Sequence, residues 1–104
     1  MIDVHPKVFS PDNDGQGDFA TISYSVEAPG YLANISIFDA SGRLVRPFVK
    51  NDLMGLKGTW TWDGLGEKKN KLPVGIYIIY TEIFNLQGKK KQFKHAIVLA
   101  RRTG

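Results

Sequence analysis

The stretch GIYIIYTEIF, residues Gly75–Phe84, is the most β-prone run of this 104-residue chain. Nearly all of its side chains are β-branched or aromatic, the types that are enriched in strands because they pack well on a pleated sheet. Polar residues do not alternate through the run, which is typical of a strand that is covered on both faces. The sequence therefore predicts a central strand, buried on both sides, around which the other elements are arranged.

Shorter strand-like segments lie on both sides of this run. Alternating residue types indicate strands with one buried face, because successive side chains of a strand point to opposite faces. The predicted strands are residues 4–9, 20–26, 32–39, 43–50, 59–62 and 91–100. Turn signals separate them, such as DASG at 39–42 and NLQG at 85–88, and no segment has the period of an amphipathic helix.

Seven short strands at intervals of about 8 to 12 residues are the pattern of a Greek-key sandwich. The prediction is therefore an all-β, immunoglobulin-like Greek-key β-sandwich of about seven strands. We expect a single domain, residues 1–104, since a chain of this length buries roughly two thirds of its extended surface in one core. The absence of cysteine excludes disulfides, thiolate zinc sites and cysteine catalysis.

Charge is distributed unevenly along the chain. Residues 1–52 contain seven acids and four Lys or Arg, a net charge of −3, whereas residues 53–104 contain three acids and ten Lys or Arg, a net charge of +7. The lysine clusters at 68–71 and 89–94 lack the interleaved aromatic residues of a nucleic-acid stacking surface. We therefore expect solvated turns and no nucleic-acid binding. No apolar run reaches the roughly 18 to 20 residues of a membrane helix, so no membrane span is expected.

The segment FSPDNDGQGD, residues 9–18, combines turn formers with three closely spaced carboxylates. When it is aligned with an EF-hand calcium loop, oxygen ligands fall at positions 1, 3, 5, 7 and 9. These candidate ligands are Ser10, Asp12, Asp14, the Gln16 carbonyl and Asp18. Thr21 stands at position 12 in place of the usual Glu, so any calcium affinity should be weak, about 10⁻⁴ to 10⁻³ M. In the alternative, the aspartates cap backbone N–H groups and no cofactor is required.

The tryptophans and histidines are further candidates for ligand binding or catalysis. Trp60 and Trp62 share one strand face, where they form either part of the core or, less favoured, a platform for stacking sugars. His5 and His95 are far apart, and no nucleophile or zinc-helix motif accompanies them. We therefore expect no catalytic residues and no enzyme activity, with a carbohydrate-binding module as a minor alternative.

Three further stretches carry a resemblance to a known family. They are FDASGRLVR at 38–46, TWDGLG at 61–66 and LPVGIYIIY at 72–80. In order and spacing they resemble the Ig-like domain named after the flagellar hook-capping protein FlgD. Similar domains are found at the C-termini of proteins exported by the type IX secretion system of Bacteroidetes, and the ending KHAIVLARR resembles the last strand of those signals.

The resemblance implies a non-catalytic C-terminal accessory module of a longer secreted or cell-surface bacterial protein. Its role would be sorting, attachment or protein–protein recognition. The expected partner is the export or surface-attachment machinery, or a neighbouring domain of the parent chain, bound at exposed strands or by strand addition. By the family pattern, Gly42 and Arg43 lie at a hairpin tip, Gly64 follows a core Trp and Tyr77 lies at the start of the central strand. A purely structural spacer is the alternative function.

Overall fold

The structure is a computed structural model that describes residues 1–11 and 17–101. Within these ranges the regular elements are β1 (Ile2–His5), β2 (Val8–Phe9), β3 (Ala20–Ser25), β4 (Leu32–Asp39), β5 (Leu44–Leu53), β6 (Lys57–Trp62), β7 (Gly75–Phe84) and β8 (Lys90–Leu99). They form a three-stranded sheet in the order β1-β3-β6 and a five-stranded sheet in the order β2-β8-β7-β4-β5. This is the strand order of an immunoglobulin-like Greek-key sandwich, so the predicted fold class is confirmed.

The predicted edge strand at residues 4–9 is two strands in different sheets. β1 pairs antiparallel with β3, whereas β2 pairs parallel with β8. The chain changes sheet at Pro6, which follows a cis peptide bond and has no backbone N–H to contribute to a ladder. The described residues therefore form eight strands, one more than the sequence predicted, because the choice between two distant partners leaves no local pattern.

The core consists of the inward-facing side chains of both sheets. β4 and β7 alternate strictly between buried and half-buried positions over most of their length, as expected for strands with one face toward the core. Trp62 is fully buried at the centre, with its ring centroid 5.4 Å from that of Phe9 and 5.9 Å from that of Tyr77. Its indole N–H donates to the Leu65 carbonyl at 3.0 Å, so the polar atom of this large side chain is also satisfied.

β7 is central, as predicted, but only its inner face is buried. Ile79 and Ile83 point into the core and are at most 3% exposed. On the other face Ile76 is 52% exposed, and Ile78 and Tyr80 are half-buried. Since no element among the described residues covers the outside of this sheet, the prediction of burial on both faces was wrong.

The hairpin between β4 and β5 is closed by its own side chains. The Asp39 carboxylate accepts hydrogen bonds from the backbone N–H groups of Ser41 and Arg43, both at 3.0 Å. Gly42 has φ +88°, a left-handed conformation that glycine adopts without steric cost. Asn85 closes the β7–β8 hairpin in the same way. The expected position of Gly42 and Arg43 at a hairpin tip is therefore confirmed.

Candidate functional site

The structure places only part of the predicted calcium loop. Ser10 and Asp18 lie near its two ends and are half-buried. The Ser10 N–H donates to the Gly17 carbonyl at 2.8 Å, which closes the base of the loop between β2 in the larger sheet and β3 in the smaller sheet. The other predicted ligands, Asp12, Asp14 and Gln16, lie outside the described residues. Calcium binding therefore stays a prediction.

The two tryptophans face the core and do not form a flat exposed platform. Trp62 is fully buried. Trp60 stacks on Tyr24 with 4.8 Å between ring centroids, and its indole N–H donates to the Asp52 carboxylate at 2.9 Å. Both rings are therefore used in packing, which favours the core interpretation of the pair over sugar stacking.

The TWDGLG segment ties the β6–β7 connection to β5. The Asp63 carboxylate accepts the Leu65 N–H at 3.0 Å and lies 3.9 Å from the Arg46 guanidinium. That guanidinium also donates to the backbone carbonyls of Leu65 and Gly66 at 3.1 and 3.2 Å. Asp63 thus orders the backbone, a structural use that accounts for its place after the core Trp.

A second tie fixes the start of β7. The Tyr77 hydroxyl donates to the Pro73 carbonyl at 2.5 Å, which is the tyrosine corner of Greek-key sandwiches. Burial, with the negative charge of Asp39 as a smaller cause, raises the pKa of Tyr77, so the hydroxyl keeps its proton and remains a donor. Arg101 donates to the Leu72 carbonyl at 2.6 Å and holds the end of the described chain against the same loop.

The two histidines differ in exposure and in hydrogen bonding. His5 is exposed, with its Nδ1 3.0 Å from the Asp3 carboxylate. His95 is partly buried, and its Nδ1 has no hydrogen-bond partner among the described residues. Burial and then the positive charge of Lys7 lower the pKa of His95, with Asp3 opposing. Asp3 therefore acts on both rings, but only the His5 ring is bonded to it.

The lysine clusters lie at opposite ends of β7. The cluster at 68–71 lies in the connection before it, and the lysines at 89–91 lie at or beside the hairpin that follows it. These lysines are exposed, and the Lys90 ammonium lies 3.4 Å from the Glu82 carboxylate. The clusters therefore do not join into a single basic stripe, although the absence of nucleic-acid binding stays a prediction.

The outer face of the five-stranded sheet carries an unexpected band of apolar side chains. The cross-strand register aligns Val8 with Val98 and Val98 with Ile76, and it aligns Ala96 with Ile78, Phe38 and Leu44 in a neighbouring row. We call these seven residues the apolar band: Val8, Phe38, Leu44, Ile76, Ile78, Ala96 and Val98. An antiparallel sheet with one solvated face normally presents polar side chains there, so this face is a candidate recognition surface.

An open groove of about 770 Å³ crosses the outer face next to the apolar band. Phe38, Ile78 and Ala96 from the band and Tyr80 contribute to its lining, together with Lys94. The Lys94 ammonium lies 5.9 Å from the centroid of the Tyr80 ring. Sequence reasoning missed this groove, although the lack of polar alternation in β7 was its signal.

The four edge strands differ in how well they could accept an added strand. β1 and β2 have only four and two residues. β5 contains Pro47 and has register shifts at three places along its pairing with β4, features that obstruct edge pairing. β6 has six residues in unbroken register with β3, and among the described strands β8 also has an unpaired edge before Val98, because β2 pairs only with Val98 and Leu99.

Comparison with known families gives one match over nearly the whole chain. The sequence pattern of the family described as the CHU_C type IX secretion signal domain matches residues 2–99, a range that includes every strand of both sheets. No curated protein matches the chain. Within the described residues, no helix is long and apolar enough to cross a membrane.

Several solved structures share the fold, and two of them are compared with this chain. One is PorZ from Porphyromonas gingivalis, described as an essential bacterial surface component of the type IX secretion system, with 20% identity and a TM-score of 0.55. The similarity covers 96% of this chain and 11% of the PorZ chain. The other is CopC from Methylosinus trichosporium OB3b, with 15% identity, a TM-score of 0.55, and coverage of 100% of this chain and 96% of CopC. At these identities the similarity shows the fold alone.

Proposed function

Because the chain belongs to the family of CHU_C type IX secretion signal domains, we propose that it is a non-catalytic module that directs its parent protein through type IX export. The observation that carries the proposal is the family match over residues 2–99. Membership of this family indicates a secreted or cell-surface bacterial protein. The narrower relation to FlgD-like domains and a position at the C-terminus of a longer chain belong to the same proposal.

The partner in this proposal is a protein of the export or surface-attachment machinery, or a neighbouring domain of the parent chain. Two features support recognition through surfaces: the apolar band on the five-stranded sheet and the regular edge of β6. The polar groups near the β6–β7 connection support a role without catalysis. Asp63 and Arg46 are bonded to the loop backbone, which gives them a structural role.

A reporter fusion tests the sorting role. Residues 1–104 are fused to the C-terminus of a reporter that carries a signal peptide and is expressed in a type IX host, and the fraction of reporter outside the cells is measured. We expect export with the fusion and none with the unfused reporter. Inactivating type IX secretion in the host should abolish the difference. A fusion that stays inside the cells like the unfused reporter would refute sorting.

A purely structural spacer is the second candidate, and the shape of the domain favours it. The molecule measures 50 × 27 × 20 Å, so its long axis is nearly twice the next one. An elongated domain of this kind separates what is attached to its two ends. The same assay discriminates the candidates, because an unrelated immunoglobulin-like sandwich of similar size should preserve a spacer role but not export.

A further inference from the structure

The outer face of the five-stranded sheet is apolar although it is exposed to solvent. β7 has the sequence of a strand covered on both sides, yet Ile76 on its outer face is 52% exposed. The band extends to both neighbouring strands and beyond, since Val8 and Leu44 at its margins are 56% and 49% exposed. Contiguous exposed apolar surface of this kind marks interaction sites in monomeric proteins. The apolar sequence of β7 is explained if a partner covers this exposed face.

The charges around the groove indicate the chemistry of that partner. Glu82 is neutralised by Lys90, 3.4 Å away. The Asp39 carboxylate is occupied by the backbone and hydroxyl of Ser41 and by Arg43. Lys94 forms no ion pair with an acid among the described residues, and its ammonium lies 5.9 Å from the centroid of the Tyr80 ring. The charge that is left uncompensated at the groove is therefore positive, and it complements a carboxylate.

The way the strands pair determines how a partner can bind here. β4 and β7 have a neighbouring strand along both edges, so their backbone groups are already used in ladders, whereas β2 pairs with β8 only at Val98 and Leu99. A ligand that lies across this face, over β4 and β7, must therefore bind through side chains, because strand addition is open only beside the face, at the edge of β8 before Val98. The groove volume of about 770 Å³ lies within the range of about 300 to 1,000 Å³ seen for ligand sites, which is room for several side chains of a peptide.

We propose that this outer face binds a segment of a partner protein in which aromatic or aliphatic side chains stand beside a carboxylate. The apolar side chains pack on Phe38, Ile78 and Ala96, and the carboxylate pairs with Lys94. The inference rests on the proposed function, since it names the chemistry of the partner that a sorting module would meet. A lipid surface fits less well, because anionic membranes attract clusters of basic residues, whereas Lys94 is the single Lys or Arg among the described residues that line the groove.

Peptide selection tests the proposal without a known partner. The 104-residue protein is used to select from a random dodecapeptide library, and the enriched peptides are synthesised and titrated by isothermal calorimetry. We expect enriched peptides to carry Asp or Glu beside an aromatic or aliphatic residue. Replacing that acid by its amide should raise the dissociation constant about tenfold, since the free energy of a hydrogen bond to a charged group corresponds to a factor of about ten or more.

Variants locate the binding site. Lys94→Glu and Ile78→Thr should each weaken peptide binding about tenfold or more. The matched controls Lys68→Glu and Val74→Thr change exposed residues outside the apolar band and should leave the dissociation constant unchanged. If Ile78→Thr does not fold, Lys94→Glu, which changes an exposed side chain, still decides the test. Enriched peptides without acids, or equal binding by Lys94→Glu, would overturn the proposal.

Vesicles and the export assay separate the remaining possibilities. Binding to phosphatidylglycerol vesicles that is lost in Ile78→Thr, with no peptide enriched, would assign the face to a lipid and contradict the proposal.

In the reporter assay, Lys94→Glu should lower export and Lys68→Glu should not. If the wild type is exported and Lys94→Glu is exported equally, sorting stands and this inference fails. If peptides bind as expected but the wild-type fusion is not exported, peptide binding by this face is supported and the sorting role is refuted.

Discussion

Replacing Gly64 by alanine should destabilise this protein through two separable effects. Gly64 has φ +81°, a conformation that L-residues rarely adopt. A Cβ added there would lie 2.9 Å from the Pro11 ring and 3.3 Å from both Leu99 and Phe9. Phe9 and Leu99 are buried at the core, so neither can move away freely. Strain and overpacking therefore both oppose the substitution.

The expected loss of stability is the sum of the backbone strain and the overpacking. Left-handed backbone costs a residue with a Cβ about 1 to 2 kcal/mol. Forcing a methyl group into a filled space costs about 1 to 3 kcal/mol more. Gly64→Ala should therefore lower the free energy of unfolding by about 2 to 5 kcal/mol in total, and each kcal/mol lowers the melting temperature of a domain of this size by about 4 °C or more.

Gly42→Ala is the matched control, because it separates the two terms. Gly42 has a similar φ of +88°, but nothing lies within 4 Å of the Cβ position. It should therefore lose only the conformational term, about 1 to 2 kcal/mol. Urea denaturation followed by circular dichroism measures both variants. Equal losses for Gly64→Ala and Gly42→Ala would show that the loop at Gly64 is not packed against the core as the structure has it.

Three further predictions concern single groups. Tyr77→Phe removes the hydrogen bond of the tyrosine corner and should cost about 1 kcal/mol in urea denaturation; no loss would mean that this bond adds nothing to stability. The pKa of His95 is lowered on folding, so its neutral form is favoured in the fold; stability should be highest above pH 6.5 and fall as the pH drops through 6.5 toward the lower folded value. His95→Phe should flatten that part of the profile. Asp12→Ala with Asp14→Ala should lower the melting temperature only in calcium if the ion binds, whereas an equal loss in chelator indicates backbone capping.

Local patterns were sufficient for most of the fold. The alternation of apolar and polar residues places Ala20–Ser25 and Leu32–Asp39 as strands with one face inward, because the strand period of two is written in the sequence itself. The turn at Asp39 was also predictable, since an Asx residue three positions before Gly42 carries its own hydrogen-bonding mechanism. These features depend on neighbours in the chain.

Features that depend on distant partners were missed. The switch at Pro6 depends on whether β3 or β8 offers the better edge, which no short window shows. The contacts of Arg46 with Leu65 and Gly66 span 19 and 20 residues. The exposure of the apolar band could not be predicted from the sequence for a related reason. A run of apolar residues indicates that both faces of β7 need covering, but it does not say whether the chain itself supplies the cover.

The sorting role of this domain is decided by the export ratio of the reporter fusion. The ratio compares reporter found outside the cells in a type IX host with that found when type IX secretion is inactivated. We expect a high ratio for the fusion with residues 1–104 and a ratio near one for a fusion with an unrelated sandwich. A ratio near one for both fusions would contradict the assignment of this domain to sorting.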